Sequence, residues 1–262
     1  MVLVDMSVLV SSSAIDQELA NLGFEVAFIN MTVNTKSHQS AKLAEHLKQV
    51  NQSSGIVTVT NRPPGRCVTR DILGLLAKQS KPFVLHKLSR VTVALQQSDH
   101  VDKVYDTILR PIRDDPRIDC FAVRPATETQ LIDLINNRAK YGYDLISLDI
   151  SVGYFFQQLG VVARLLKNST DVFIEVELGP ILNNTSGITN CVNQCRMVMR
   201  SFHRMIISSG AKSPLELRTG LDMRSWGEGV MGLKHVNQNS ERLLEKIVRK
   251  KMNRANLNPS SN

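Results

Sequence analysis

Residues 205–221 read MIISSGAKSPLELRTGL. Met205 to Ile207 is an apolar run of strand-forming residues, Ser208 to Ser213 is a polar turn around Gly210, and helical spacing begins after Pro214. A strand that leaves through a polar turn into a helix is the unit of an α/β fold, and such folds build their sites at strand exits. This exit gathers Ser208, Ser209, Lys212, Glu216 and Arg218, with no histidine, cysteine or aspartate inside the stretch. Polar and basic groups without an evident nucleophile suggest binding more than catalysis. An ordinary connecting loop has the same composition.

The unit recurs upstream. Strands are predicted at Val2–Val4, Glu25–Asn30, Ile56–Thr60, Ile118–Val123, Asp144–Ile150 and Val172–Leu178. A further extended stretch opens at Lys81-Pro82, breaks near Lys87 and resumes through Val91, Val93 and Leu95. Helices are predicted from a serine cap at 11–13 to Leu22, then over 37–50, 69–79, 99–113, 127–137, 159–166 and 188–202. Two closing helices follow, over 223–231 and 237–251. Six to eight strand–helix alternations without a long linker imply parallel strands covered by helices. The first strand runs into DMSVLVSSS, which lacks the glycines of a dinucleotide-binding turn, and Gly227-x-Gly229 follows no strand. The expected fold is therefore one distorted TIM-like (β/α) barrel over residues 1–254 with a C-terminal helical extension. Residues 255–262 are expected to form a disordered tail. An open doubly wound sheet is the alternative.

The 262 residues carry a formal charge of +8, and 42% of them are apolar but only 5% aromatic, so Leu, Val and Ile fill the core. The positive charge lies in two blocks. From 60 to 90, seven basic residues face only Asp71; from 234 to 254, seven face Glu241 and Glu245. The rest of the chain is net acidic. Two concentrated blocks suit a polyanion such as RNA; a solvated face that merely keeps the protein soluble is the alternative. Cys67, Cys120, Cys191 and Cys195 are too scattered for a disulfide framework or a zinc site. The opening MVLVDMSVLV has no basic start, so no secretory leader and a reducing compartment are expected, and no apolar run is long enough to span a bilayer.

The chain resembles the thirty-kilodalton protein subunit family of ribonuclease P and ribonuclease MRP. The resemblance is strongest at Ile206-Ile207-Ser208-Ser209 followed by Pro214-Leu215-Glu216-Leu217-Arg218 and Asp222. Lys81-Pro82, Leu88-Ser89-Arg90-Val91-Thr92, Ala122-Val123-Arg124-Pro125, Asp144-Leu145-Ile146-Ser147 and Gly179-Pro180-Ile181 also fit, in order, over most of residues 1–250. The resemblance implies a barrel related to metal-dependent PHP phosphoesterases. Those enzymes carry His-x-His after the first strand; here Asp5, Met6 and Ser7 stand there, and none of the six histidines forms a close pair. It further implies a non-catalytic subunit that supports removal of the 5′ leader from precursor tRNA, through scaffolding and phosphate contacts. The implied partners are the ribonuclease P and MRP RNAs, other protein subunits and, indirectly, precursor tRNA, with no membrane. No cofactor is implied for this chain itself, Mg2+ belongs to the RNA core, and the location is nuclear and nucleolar. A metal-dependent phosphoesterase and a protein-only adaptor are the rival readings.

Candidate RNA-binding or interface residues are Arg62, Arg66, Arg70, Lys81, Lys87, Arg90, Arg124, Lys212, Arg218, Lys246, Arg249, Lys250 and Lys251. Arg62, Arg66 and Arg70 flank the Pro63-Pro64 turn, whose stiffness lowers the ordering cost of gripping phosphate. Arg90 and Arg124 either contact phosphate or pair with a carboxylate. Arg218 either contacts RNA or pairs with Glu216 or Asp222. The closing helix is expected to dock Leu243, Leu244, Ile247 and Val248 and turn its basic side outward. Glu175 and Glu177 share one face of a strand. They suit Mg2+ binding, acid–base work, or pairing with Arg or Lys inside the barrel mouth. Asp5, Asp119 and Asp149 stand near strands, the first and last at exits. Trp226 reads as packing.

Overall fold

The computed structural model describes residues 4–9, 12–35, 48, 55–59, 83–149, 159–169, 171–182, 188–189, 192–193, 203–233 and 235–257. Seven parallel strands form a nearly closed barrel. In spatial order they are β1 (Val4–Val8), β2 (Val26–Asn34), β4 (Phe83–Ala94), β5 (Cys120–Arg124), β6 (Leu145–Leu148), β7 (Ile174–Glu177) and β8 (Met205–Ser208). β3 (Gly55–Val59) lies off this path, antiparallel to the first residues of β4. The ring closes where Val8 bridges Ala211, with Gly210 N donating to Ser7 O at 3.0 Å and Leu9 N to Ala211 O at 2.9 Å. That contact between first and last strands excludes an open doubly wound sheet.

The helices lie in the connections. α1 (Ser13–Asn21) starts at Ser12, whose side chain accepts from Ile15 N. α2 comprises Val101–Val104, a π-turn Tyr105–Leu109 and Arg110–Asp114. Pro111 has no N–H to return to the preceding turn, and the wider π-turn accommodates it. α3 (Glu128–Asn136) opens with a reciprocal Thr127–Gln130 capping box, and α4 (Arg138–Tyr141) ends at Gly142 in the left-handed conformation. α5 (Leu159–Asn168) and α6 (Leu178–Leu182) flank β7 in sequence. α7 (Gly220–Ser225) continues as a π-turn, Trp226–Val230, and α8 (Val236–Leu257) closes the chain.

Several boundaries differ from expectation for physical reasons. The first strand runs to Val8, so Asp5 lies within it rather than at its exit. The predicted break at Lys87 does not occur: β4 is one twelve-residue strand whose polar side chains find partners on either side. The last helix extends to Leu257, into the predicted tail. Within the π-turn, Gly227 is a packing glycine, because a Cβ there would meet Val236 Cγ2 at 2.7 Å and Ile207 Cδ1 at 2.8 Å. The half-buried Trp226 packs on the main core, as its sequence setting suggested. The predicted helix at 37–50 apart from residue 48, the predicted helix at 69–79, the Pro63-Pro64 turn and most of 188–202 lie outside the described residues.

The interior of the barrel is layered by strand alternation. At the strand entries an apolar layer contains Val4, Met6, Val26, Phe28, Cys120, Ala122, Leu145, Phe173 and Ile206. α8 closes this end by inserting Leu243 and Ile247 among them. Two residues further along the same strands the inward positions turn polar: Asn30, Arg90, Thr92, Arg124, Ser147, Glu175, Glu177 and Ser208. A bulge in β1 between Asp5 and Val8 supplies one extra residue, which brings Ser7 onto the inner face.

Candidate functional site

The polar layer near the strand exits holds four charged side chains, Arg90, Arg124, Glu175 and Glu177. Arg90 on β4 and Glu175 on β7 are three strands apart, so their ion pair crosses the interior. It is bidentate, NH1 to Oε1 at 2.6 Å and NH2 to Oε2 at 2.5 Å, and both side chains are fully buried. Arg90 also donates to Met6 O at 2.5 Å and to Thr92 Oγ1 at 3.2 Å, which uses the guanidinium edge a lysine lacks. Burial alone would push the Glu175 carboxyl up, but the adjacent Arg90 charge and hydrogen bonds hold it below the usual range. Burial likewise opposes the Arg90 charge, and Glu175 outweighs it, so the guanidinium binds its proton more firmly than usual.

A chain of hydrogen bonds extends from this pair. Thr92 Oγ1 donates to Asn30 Oδ1 at 2.8 Å, Asn30 Nδ2 to Ser7 Oγ at 3.0 Å, and Ser7 Oγ to Glu177 Oε1 at 2.8 Å. Arg124 completes it, with NH2 reaching Glu177 Oε2 at 2.7 Å and Ser147 Oγ at 3.1 Å. Six strands are thereby linked through Glu177, Ser7, Asn30, Thr92, Arg124 and Ser147. Gly210 is required beside this layer: its φ is +59°, and a Cβ there would meet Glu177 Cβ at 3.0 Å.

Asp5 sits at the β1–β8 seam, fully buried. Its Oδ1 accepts from Ser7 N at 3.2 Å and Ser209 N at 3.1 Å, while Oδ2 has no hydrogen-bond partner among the described residues. Burial raises its carboxyl to about 6, against the lowering effect of the Ser209 and Ser7 groups. Among the described residues, no three His, Cys, Asp or Glu side chains converge as a metal set.

Of the candidate residues, Arg90 and Arg124 thus lie together inside the barrel, and Arg90 is an internal strut rather than a surface group. Lys87 pairs with Asp16 of α1 at 2.9 Å, also largely buried. The closing helix departs from expectation. Lys250 binds both oxygens of Asp144 at 2.9 and 2.7 Å, and Lys251 binds Asp119. These two aspartates also hold backbone amides, Asp144 at Phe121 N near the start of β5 and Asp119 at Ser89 N midway along β4. Lys246 donates to Asp171 O at 3.2 Å and lies over the Phe173 ring; burial, then the nearby Arg138 charge, lowers its pKa. Much of the supposed outward basic face is therefore a clamp on the barrel floor. Arg249 is exposed, and so is Val248, which was expected to dock. Lys212 is exposed at the β8 exit. Arg218 makes no ion pair with Glu216 or Asp222; it donates to the carbonyls of Leu215 and Leu217 at 2.9 and 3.0 Å. Asp119 precedes β5 at its entry. Arg62, Arg66, Arg70 and Lys81 lie outside the described residues.

Sequence reasoning did not single out Asn30, Thr92 and Ser147. The available signal was a polar residue toward the exit end of strands that otherwise read as apolar.

The family model described as RNase P subunit p30 matches residues 3–256. No curated protein sequence matches the chain significantly. Nearly the whole chain is covered by the family model, and the chain belongs to that family.

Proposed function

From that membership, we propose that this chain is a non-catalytic protein subunit of ribonuclease P that holds the ribonucleoprotein in shape by scaffolding and phosphate contacts. The complex would remove the 5′ leader of precursor tRNA by phosphodiester hydrolysis. A place in ribonuclease MRP and a nuclear, nucleolar location follow from the same reading. The observation that carries the scaffold role is the filled barrel. At the end where barrel enzymes place their chemistry, the carboxylates Glu175 and Glu177 are consumed by Arg90 and Arg124. Carboxylates already neutralised by fixed arginines are poorly placed to hold a metal or to accept a substrate proton.

Phosphate contacts would then come from the exposed Arg249 and Lys212 and the partly exposed Arg218, together with the basic residues of the 60–90 block other than the buried Lys87 and Arg90. Such contacts position an RNA without reading its sequence, so their loss weakens assembly more than it alters cleavage. The test is affinity purification of the tagged full-length protein followed by sequencing of the bound RNA. Enrichment of ribonuclease P RNA is expected; its absence would overturn the assignment. A free-standing phosphoesterase is the rival. It would show stoichiometric Zn2+ or Mn2+ in protein purified without chelator, with activity lost in Asp5→Ala.

A further inference from the structure

The turn between α5 and β7 is held by cations from three other parts of the chain. Arg138, the first residue of α4, reaches Asp171 Oδ2 at 3.3 Å. Arg204, just before β8, donates to Ser169 O. Lys246 on α8 donates to Asp171 O at 3.2 Å. Partners on residues 169 and 171 place all three side chains around one short turn, at the strand-entry end of the barrel. Three cations therefore meet one carboxylate, and the Asp171 side chain is 67% exposed, so water screens that single pair. Arg204 and Lys246 make no ion pair among the described residues, and a carbonyl acceptor leaves the charge of its donor intact. Arg138 Nε is buried with no hydrogen-bond partner among the described residues. Arg138 and Arg204 both lie outside the two basic blocks of the sequence.

We propose that Arg138, Arg204 and Lys246 form a binding site for the phosphodiester backbone of RNA at the closed end of the barrel. This rests on the subunit reading above, and it adds a site that only the folded chain assembles, from three separate elements. Clustered like charges repel, and an anion between them turns that repulsion into attraction. Burial, then the Arg138 charge, already weakens the hold of Lys246 on its proton, and a bound phosphate would offset the second effect. The cations are also held in place beforehand. The Arg138 guanidinium lies 5.8 Å from the centre of the Tyr143 ring, and Lys246 Nζ 5.9 Å from that of Phe173. Such preorganisation lowers the ordering cost of binding. Guanidinium forks match pairs of phosphate oxygens. An RNA strand carries one negative charge at every nucleotide, so cations in excess of their carboxylate suit it better than they suit an isolated acidic side chain of a peptide. Contacts of this kind fix the position of the strand without reading its bases.

The test places a photoreactive benzoylphenylalanine at position 171 of the tagged full-length chain, at the exposed centre of the cluster. Cells are irradiated, the chain is purified, its adducts are sorted into RNA and protein, and the RNA that accompanies it is sequenced. RNA adducts are expected, in material that contains ribonuclease P RNA. Adding Arg204→Gln with Lys246→Gln should lower the RNA adducts by roughly tenfold at about 0.15 M salt, through the loss of two phosphate contacts. Arg204→Lys with Lys246→Arg keeps both charges and should retain most of the adducts, which separates phosphate binding from a clasp that only holds the turn. Adducts to protein alone or to nothing, with ribonuclease P RNA still recovered, would overturn the site and leave the subunit reading standing. RNA adducts as abundant in the glutamine pair as in its parent would overturn it as well. Absence of ribonuclease P RNA would overturn the subunit reading and the site with it.

Discussion

Arg90 and Glu175 form an ion pair with both side chains fully buried. A buried ion pair contributes modestly as a pair, but removal of one partner strands the other without water. Glu175→Gln is therefore expected to destabilise the protein by about 3–5 kcal/mol in urea unfolding, while Arg90→Met with Glu175→Leu costs less than either single change. Equal or greater loss in the double variant would contradict the strut. Asp5 makes the opposite prediction. An unfolded aspartate titrates near ~3.9, and in the fold burial raises Asp5 to about 6. The folded state binds the proton more tightly, so the stability Asp5 contributes is complete below pH ~4 and is lost as pH rises through 6. Asp5→Asn keeps an oxygen for the Ser7 and Ser209 amides. Relative to wild type, the variant should gain on the order of 2–3 kcal/mol between pH ~4 and ~7. A pH-independent gap would show that Asp5 is not the raised group.

At the scale of elements, α8 is both plug and clamp. Leu243 is fully buried in the barrel floor, and Leu243→Ala should cost about 2–5 kcal/mol in chemical denaturation. The helix also separates two classes of cation. Arg249→Lys should leave assembly of a reconstituted complex unchanged, since a point charge suffices near phosphate. Arg124→Lys should weaken it, because one ammonium cannot reproduce the guanidinium geometry shared by Ser147 and Glu177. Equal tolerance at the two positions, read as assembly at about 0.15 M salt, would refute the distinction. The same elements show what was legible in the sequence. The β8 unit, the Thr127 cap and the shared face of Glu175 and Glu177 follow from spacing alone. The partners of that face do not, because Arg90 and Arg124 come from strands far away in sequence. β4 looked broken because Lys87 and Arg90 interrupt its apolar run; one reaches α1, the other crosses the barrel. The basic side of α8 looked free because Asp119 and Asp144 lie more than one hundred residues away.

For the whole molecule, the barrel is closed at one end by a helix and filled at the other by arginine–carboxylate pairs. That is the architecture of a rigid support, and its contribution to ribonuclease P is expected in assembly rather than in bond cleavage. The most direct test is single-turnover cleavage of precursor tRNA by a reconstituted complex saturated with protein, comparing wild type with Glu177→Gln and Asp5→Asn. The cleavage rate is expected to stay within about twofold, less than 0.5 kcal/mol in the barrier. A drop of roughly 100-fold or more, with assembly intact, would place these carboxylates in the chemistry and contradict the scaffold.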